Sequence, residues 1–332
     1  MPILNFEGHT YSGDASDTVL DILLEAGETV HYSCKKGNCR ICLLHCKQGK
    51  IPDGAQSGLR YTLKEKGYFL SCQCPLIQDL KVGIPEEPSL IRSAIVEEKS
   101  YLSEDVCRFI LRCEQDIGFL PGQFINLRCC NGVMRSYAIA NVPNTQNLLE
   151  LHIQRFDGGE LSSWIFDKCH EGSRIEFHGP YGGCYYIPEK QDQNLLLIGN
   201  DIGLAPLISI AKAALEMGHQ GKIALYHGAT RYRDLYLHDA LCKMEKDFPS
   251  FFYFPCLTIM DLLDRARQGA ADEVAFRDFR DLENWRVFVT GDPDMVARSK
   301  IRAFASGAKM EDIYEEPFNL KDLRRVPRVK TV

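Results

Sequence analysis

Over residues 17–27 the chain reads Asp17-Thr18-Val19-Leu20-Asp21-Ile22-Leu23-Leu24-Glu25-Ala26-Gly27, and the apolar positions 20, 23 and 24 share one helical face. Ser16 or Asp17 is placed to cap the start and Gly27 to close the end, so the spacing predicts a short helix with a short strand on either side. From about residue 93 to 188 the pattern changes to alternating apolar and polar positions between turn signals, as in Arg108-Phe109-Ile110-Leu111-Arg112-Cys113. That alternation predicts an antiparallel β-barrel. After Gln191 the chain turns to a continuous apolar run, Leu195-Leu196-Leu197-Ile198, then a glycine-containing turn and a helical run from Pro206 to Met217. Strand-like runs follow at Ile223–Tyr226 and Arg286–Val289. This βα alternation predicts a doubly wound, mostly parallel sheet. The chain therefore divides into three domains, 1–84, 93–188 and 191–332, with no internal repeat and no low-complexity segment. Ile84-Pro85-Glu86-Glu87-Pro88-Ser89 reads as the first linker, because two prolines and two acids resist both helix and sheet.

Composition narrows the function classes. At 332 residues each domain is large enough to bury a core of its own. A formal charge of -6 argues against a general nucleic-acid binder, which carries a basic footprint. No stretch approaches the roughly 20 apolar residues of a membrane span. The chain holds 14 cysteines, yet Met1-Pro2-Ile3-Leu4-Asn5-Phe6 leads straight into a polar segment with no secretory signal. The expectation is a reducing cytoplasm, where thiols stay free to ligate metal.

The cysteines that carry chemistry are Cys34, Cys39, Cys42 and Cys72, spaced C-x4-C-x2-C-x29-C. This is the plant-type spacing for a [2Fe–2S] cluster. Three thiolates on one tight loop can wrap two irons only if the backbone comes close, which suits Gly37. Zinc is the rival reading, but zinc sites pair two short-spaced couples, and Cys72-Gln73-Cys74 has the wrong spacing. Cys74 stands as an alternative to Cys72, and Cys46 lies close by; both are read as nonligands.

With a cluster segment, a barrel and a nucleotide-type domain in this order, the chain resembles the ferredoxin-reductase superfamily. More narrowly, it is similar to the fused reductase components of bacterial oxygenases, of the phenol hydroxylase and benzoate dioxygenase type. The resemblance implies a β-grasp ferredoxin domain, a flavin-binding barrel and an NAD(P)-binding domain, in a multidomain α+β and α/β chain. Arg135-Ser136-Tyr137-Ala138 resembles the family's R-x-Y-S motif, in which Arg pairs with the pyrophosphate and Tyr packs on the isoalloxazine. Ala138 departs from it, standing where the family has Ser or Thr. Asp157-Gly158-Gly159-Glu160-Leu161-Ser162 resembles the second phosphate element, opening a helix from Ser162 to Cys169, while His152-Ile153-Gln154 supplies flavin-facing backbone. His178-Gly179-Pro180-Tyr181-Gly182 resembles the G-P-x-G turn at the end of the barrel. The two-phosphate site implies FAD.

Gly199-Asn200-Asp201-Ile202-Gly203-Leu204-Ala205-Pro206 resembles G-x-G-T-G-[IL]-A-P, with Asp201 where the family has Gly and Ile202 in place of Thr or Ser. A carboxylate there opposes a pyrophosphate, and Ile donates no hydrogen bond. Thr290-Gly291-Asp292-Pro293-Asp294-Met295 resembles C-G-x-P-x-M, with Thr290 in place of the nicotinamide-side Cys. Arg231 is a candidate for the adenosine end, and Phe318, in Glu315-Glu316-Pro317-Phe318, for the flavin or nicotinamide face. The resemblance thus makes Tyr137, Ala138, Thr290 and Phe318 the candidate catalytic positions.

The implied activity is electron transfer from NADH through FAD and a [2Fe–2S] cluster to a partner protein, an aromatic-ring or alkane oxygenase or a deoxysugar dehydratase. NADPH is the alternative donor, since Arg231 and Arg233 could clamp a 2′-phosphate. Two other classes stay open. One is an electron carrier or redox sensor with a degraded nicotinamide pocket; the other is a flavin or quinone reductase acting on a small molecule. Lys321, Arg324, Arg325, Arg328 and Lys330 form a basic extension, read as a solvated run with partner docking as the alternative.

Overall fold

The computed structural model describes residues 1–14, 16–85, 91–129, 132–259 and 265–319. Residues 86–90 of the expected linker and the basic extension beyond Asn319 lie outside these. The chain forms two compact units, one holding residues 1–91 with 130–135, the other 92–129 with 136–319.

In the first unit, β1 (Ile3–Phe6), β2 (His9–Ser12), α1 (Val19–Glu25), β3 (Leu43–Gln48), α2 (Tyr61–Glu65), β4 (Tyr68–Leu70) and β5 (Leu80–Gly83) follow in chain order. The sheet order is β2-β1-β5-β3-β4. Strands β1 and β5 are parallel and the other pairs antiparallel. Helix α1 buries Val19, Leu20, Ile22 and Leu23 in one core with Leu4, Phe6, Phe69 and Val82. Its cap is Thr18, not Ser16 or Asp17: the Thr18 side chain accepts from the Asp21 amide at 3.2 Å. Thr18 is already extended and lies one residue nearer the first apolar turn, so its hydroxyl meets the orphan amide that the earlier residues cannot reach.

After the first five strands come β6 (Arg92–Tyr101), β7 (Val106–Cys113), β8 (Phe124–Arg128), β9 (Met134–Ala138), β10 (Leu148–Gln154), α3 (Glu160–Asp167) and β11 (Arg174–Tyr181). The strands form a six-stranded sheet ordered β10-β7-β6-β11-β8-β9. A bridge between Ile139 and Leu151 joins its two edges and closes the barrel. The alternation seen in the sequence is the inside and outside of this sheet: Phe109, Leu111, Leu149 and Leu151 are buried, while Arg108 and Arg112 turn outward to glutamates. The expected G-P-x-G turn is instead the bulged end of β11, with its register shift between His178 and Tyr181.

The rest is an all-parallel sheet. Its elements are β12 (Asn194–Asn200), α4 (Leu204–Glu216), β13 (Ile223–Ala229), α5 (His238–Asp247), β14 (Phe251–Leu257), β15 (Arg267–Gln268), α6 (Ala271–Asp278), β16 (Trp285–Gly291), α7 (Pro293–Ala305) and β17 (Ile313–Pro317). The order β15-β14-β13-β12-β16-β17 starts at a central strand, runs outward, and returns to the other side. Strands β12 and β16 therefore flank the topological switch point, where α/β sheets bind ligands. Both faces of β12 and β13 are covered, which explains their unbroken apolar runs.

One buried charge holds this sheet to the segment before it. Arg286 is fully buried in β16; it donates to the carbonyls of Ile187 at 2.6 Å and Lys190 at 2.8 Å, and its guanidinium lies 5.3 Å from the Tyr186 ring. Replacing Arg286 with Met leaves both carbonyls unpaired, so thermal or urea unfolding should show a loss of about 2–4 kcal/mol. Unchanged stability of R286M would mean that water replaces the guanidinium.

Candidate functional site

The cluster loop lies between α1 and β3. Cys34 is half-buried and Cys39 and Cys42 are buried, while Cys72 sits in the short turn Ser71–Gln73 directly after β4. The four sulfurs form two pairs. Cys42 and Cys72 Sγ are 3.3 Å apart, and the Cys39 thiol donates to Cys34. Among the described residues no three His, Cys, Asp or Glu side chains gather for a single ion. A two-iron cluster asks for two thiolates on each iron, and two sulfur pairs meet that demand.

Local chemistry favours thiolate within each pair. The Cys39 thiol, then the amides of Cys39 and Lys36, hold Cys34 down to about 5; the Cys42 thiol and the Gln73 side chain hold Cys72 at about 7. Their donors, Cys39 and Cys42, are pushed up by the same hydrogen bonds and by burial. Gln73 Nε2 joins the two ligand segments, donating to the Lys35 carbonyl at 3.3 Å and to Cys72 Sγ at 3.4 Å. Gly37 makes room for it: its φ is +84°, and a Cβ there would meet Gln73 Cγ at 3.0 Å. Cys46 Sγ is directed at the carbonyls of Gln48 and Gly49, and Cys74 is fully buried in the core of the unit.

On β9, Arg135 and Tyr137 are two residues apart and share a strand face. Arg135 Nη1 donates to the Met134 carbonyl at 2.7 Å. Ser136 Oγ donates to Asn126 Oδ1 at 2.8 Å. Ala138 is buried in an apolar cluster with Leu204 and Cys184, against which Ile202 and Phe318 also pack. On β10, His152 is buried with Nε2 2.9 Å from Glu150, Ile153 is fully buried, and Gln154 donates to Asp105 at 2.8 Å. Helix α3 begins at Glu160, two residues before the expected start, with Gly158 at φ +72° and Gly159 as its cap. The reason is Ser162: its hydroxyl turns back to the Gly159 carbonyl at 3.3 Å and accepts from the Phe156 amide, stitching the turn inside the helix.

The other end of α3 is held by a residue with no sequence signal. Lys99 Nζ, from β6, donates to the carbonyls of Ile165, Phe166 and Cys169 at 2.7, 2.7 and 3.0 Å. A cation on the last carbonyls satisfies orphan acceptors and complements the helix dipole, leaving the amide end to face an anion.

At the switch point, Gly199 and Asn200 end β12, and the turn Asp201–Gly203 leads into α4. A Cβ on Gly203 would stand 2.5 Å from the Thr290 carbonyl oxygen, and one on Gly199 would stand 2.7 Å from Leu207. The glycines are therefore demanded by close packing of the loop against β16 and α4. Thr290 is fully buried, and its Oγ1 donates to the Gly203 carbonyl at 2.6 Å. Its hydroxyl thus holds the loop rather than facing outward. Gly291, at φ +121°, packs its Cα against the Asn200 side chain, and Asn200 Oδ1 accepts from the Asp292 amide at 3.2 Å. The Phe318 amide donates to the Gly291 carbonyl at 2.7 Å, so two expected site residues meet there. A cleft of about 100 Å³ opens beside them, lined by Asn200, Asp201, Thr230, Thr258, Asp272 and Arg298 among others. Arg231 is exposed, one residue beyond Thr230, and its amide donates to Asp234 at 2.9 Å. Arg298 is bound bidentately to the fully buried Asp272, at 2.6 and 2.9 Å. Sequence reasoning missed Gln73, Lys99, Asn200 and the Asp272–Arg298 pair. Only Asn200, inside the glycine-rich run, carried a signal.

Three family models match successive segments: a 2Fe-2S iron-sulfur cluster binding domain over residues 3–76, an oxidoreductase FAD-binding domain over 93–186, and an oxidoreductase NAD-binding domain over 197–300. The chain is 30% identical over 311 residues to the ferredoxin–NAD(P)+ reductase component of the naphthalene 1,2-dioxygenase system of Pseudomonas putida, covering 92% of this chain and 94% of that protein. It is 30% identical over 310 residues to the reductase subunit of an aromatic O-demethylase of an Amycolatopsis species, covering 90% and 92%. Among solved structures, the Amycolatopsis cytochrome P450 reductase GcoB superposes with a TM-score of 0.67 at 26% identity, covering 96% of this chain and 99% of that one.

Serine at Cys34, Cys39, Cys42 or Cys72 should abolish the visible cluster spectrum and lower bound iron, while serine at Cys46 or Cys74 should leave both intact; iron and sulfide assays with electron paramagnetic resonance decide. In Lys99→Met, three carbonyls lose their donor. Equilibrium dialysis should then show flavin held on the order of tenfold more weakly, the cost of about one charge-assisted hydrogen bond. Equal flavin affinity would show that the C-terminal end of α3 does not set the position of its amide end.

Proposed function

The chain belongs to the family of fused [2Fe–2S] ferredoxin–flavoprotein reductases, the reductase components of bacterial oxygenases, and moves electrons from NAD(P)H through FAD and the cluster; from that premise we propose that its donor is NADH and its acceptor a separate oxygenase component. The observation that carries the choice of donor is the pairing of two of the three arginines around the cleft, Arg233 and Arg298, which leaves Arg231, exposed and bonded to Asp234 through its amide, as the cation that could meet a 2′-phosphate. Arg298 is bound to Asp272, and Arg233 lies 3.6 Å from Asp234, so both are already matched to carboxylates. A 2′-phosphate needs cations to meet it, and NADH does not.

Bound FAD would supply acceptance of a hydride as an electron pair and release of single electrons, and a bound [2Fe–2S] cluster would supply one-electron transfer. Around that chemistry the protein's own groups bind and orient. Cys34 with Cys39 would hold one iron and Cys42 with Cys72 the other, with the Lys36 and Cys39 amides stabilising thiolate charge. Arg135 and the amide end of α3, at Gly158 and Gly159, would bind the FAD phosphates, with Tyr137 packing on the ring system. The Gly199–Gly203 loop would receive the dinucleotide pyrophosphate. Thr290 is a positioning residue that fixes Gly203, and Phe318 is held beside Gly291 to cover the nicotinamide. No helix among the described residues is long and apolar enough to cross a membrane.

Anaerobic stopped-flow mixing with NADH, and separately with NADPH, tests the reading. NADH should bleach the flavin rapidly and the cluster afterwards, with NADPH slower. Cys72→Ser should keep the flavin phase and lose both the cluster phase and reduction of a protein acceptor. If both chromophores are present and neither nucleotide reduces them, the protein is an electron carrier or sensor instead.

A further inference from the structure

Asp201 occupies the dinucleotide loop in a way its backbone does not favour. Its φ is +46°, a left-handed conformation that glycine enters freely and Asp or Asn more readily than other residues, so a carboxylate stands here at only a modest conformational cost. Its side chain lines the cleft together with Asn200, Thr230 and Arg298. Every charged group that bears directly on its ionisation is negative. Asp234 comes from the turn after β13, Asp105 from the β6–β7 connection, and Asp292 from the cap of α7.

Among the described residues, the elements packed against this turn place no compensating cation on Asp201. From β10 come Glu150 and the buried His152; from β13 comes His227, fully buried and held down to about 3 chiefly by burial. Tyr236 is buried and its phenol pushed well up, first by burial and then by Asp201 itself. Strand β12 carries no titratable side chain, and α4 carries none before Lys212. On β16 the nearest residue is Thr290, bound to Gly203. Of the cations at the rim, Arg233 and Arg298 face Asp234 and Asp272, and Arg231 is exposed, with its amide on Asp234. Burial first, and then Asp234, push the Asp201 carboxyl up to about 6.

We propose that Asp201 is a specificity-determining residue of the cleft: its carboxylate weakens binding of nicotinamide dinucleotides in general and discriminates most strongly against one bearing a 2′-phosphate. The inference rests on the reading of this cleft as the dinucleotide site. The logic is electrostatic. NADH brings the charge of a pyrophosphate, and NADPH adds that of a phosphomonoester; both meet an unpaired anion, and the more highly charged ligand meets more repulsion. The sign of the pH dependence follows. Below about pH 6 the carboxyl is protonated and the repulsion is lost; above it the carboxylate forms and binding weakens.

The test uses the FAD- and cluster-loaded protein and its Asp201→Asn and Asp201→Gly variants. Asn retains the side-chain shape and tolerates the left-handed region, and Gly removes the strain as well. Kd values for NADH and NADPH come from the concentration dependence of anaerobic flavin reduction between about pH 5 and pH 8, a range that brackets carboxylate titration. Calorimetric titration with ADP-ribose and its 2′-phosphate supplies a readout that needs no turnover. In the wild type, affinity for both should rise as the pH falls through about 6, more steeply for the 2′-phosphorylated ligand. Both variants should be flat with pH for NADH and ADP-ribose, whose pyrophosphate does not titrate in this range, and should keep for the 2′-phosphorylated ligands only the dependence that comes from the phosphomonoester's own titration at about pH 6. The preference for the unphosphorylated ligand should shrink on the order of tenfold, the size of a unit-charge interaction across a few ångströms of partly hydrated protein. If the loaded variants bind both ligands with the wild-type ratio and pH profile, the inference is wrong while the reductase reading stands. If neither nucleotide reduces the flavin and neither ADP-ribose binds, the reading of the cleft falls, and the inference with it.

Discussion

The nucleotide-binding half depends on one close contact, the approach of the loop after β12 to the end of β16. Gly203 lies so near the Thr290 carbonyl that no side chain fits, and the Thr290 hydroxyl returns a hydrogen bond of 2.6 Å to the Gly203 carbonyl. Asn200 repeats the link on the other side, accepting from the amide that opens α7. These bonds bring two helix N-termini, those of α4 and α7, to the same edge of the sheet, where the strand order reverses. Strand β17 then adds Phe318 through the Gly291 carbonyl. A corner made of separate chain segments, with two helix N-termini on it, is thus fixed largely by contacts that the backbone makes.

Much of this was legible in the sequence, because its strongest signals are periodicity and ligand spacing. The cysteine spacing, the period-2 alternation of the barrel and the apolar runs of the parallel sheet each report a constraint that many residues share. What was hidden depends on single contacts. Thr18 caps α1 because it is extended at the position from which a hydroxyl reaches the Asp21 amide, and composition does not distinguish it from Ser16 or Asp17. The early start of α3 follows from the rotation of the Ser162 hydroxyl toward the Gly159 carbonyl. Lys99, in an alternating strand, looks like any outward-facing lysine, yet it reaches three carbonyls that lie 66 to 70 residues away in sequence. Arg286 opens a strand-like run in the sequence, and the segment before β12 folds over it and supplies two acceptors.

Charge is used inwardly across this chain. Arg108 meets Glu98 and Glu150, Arg265 meets Glu245, and Arg298 meets Asp272, so much of the cationic inventory is tied to neighbouring carboxylates. At Glu150, burial works against ionisation, yet hydrogen bonds from His152 and Arg108 hold the carboxyl at about 2. Asp201 differs from these, a half-buried acid among other acids.

The division of the cysteines into two pairs has a consequence for how the first unit holds together. Cys34 and Cys39 are neighbours on one loop, whereas Cys42 and Cys72 belong to segments that meet only because β3 pairs with β4. Iron bridging the second pair would close a loop of roughly thirty residues, much as a disulfide does, and would narrow the conformations open to the unfolded chain. The redox centre would then also be a covalent staple, and loss of iron would loosen the sheet as well as silence the electron path.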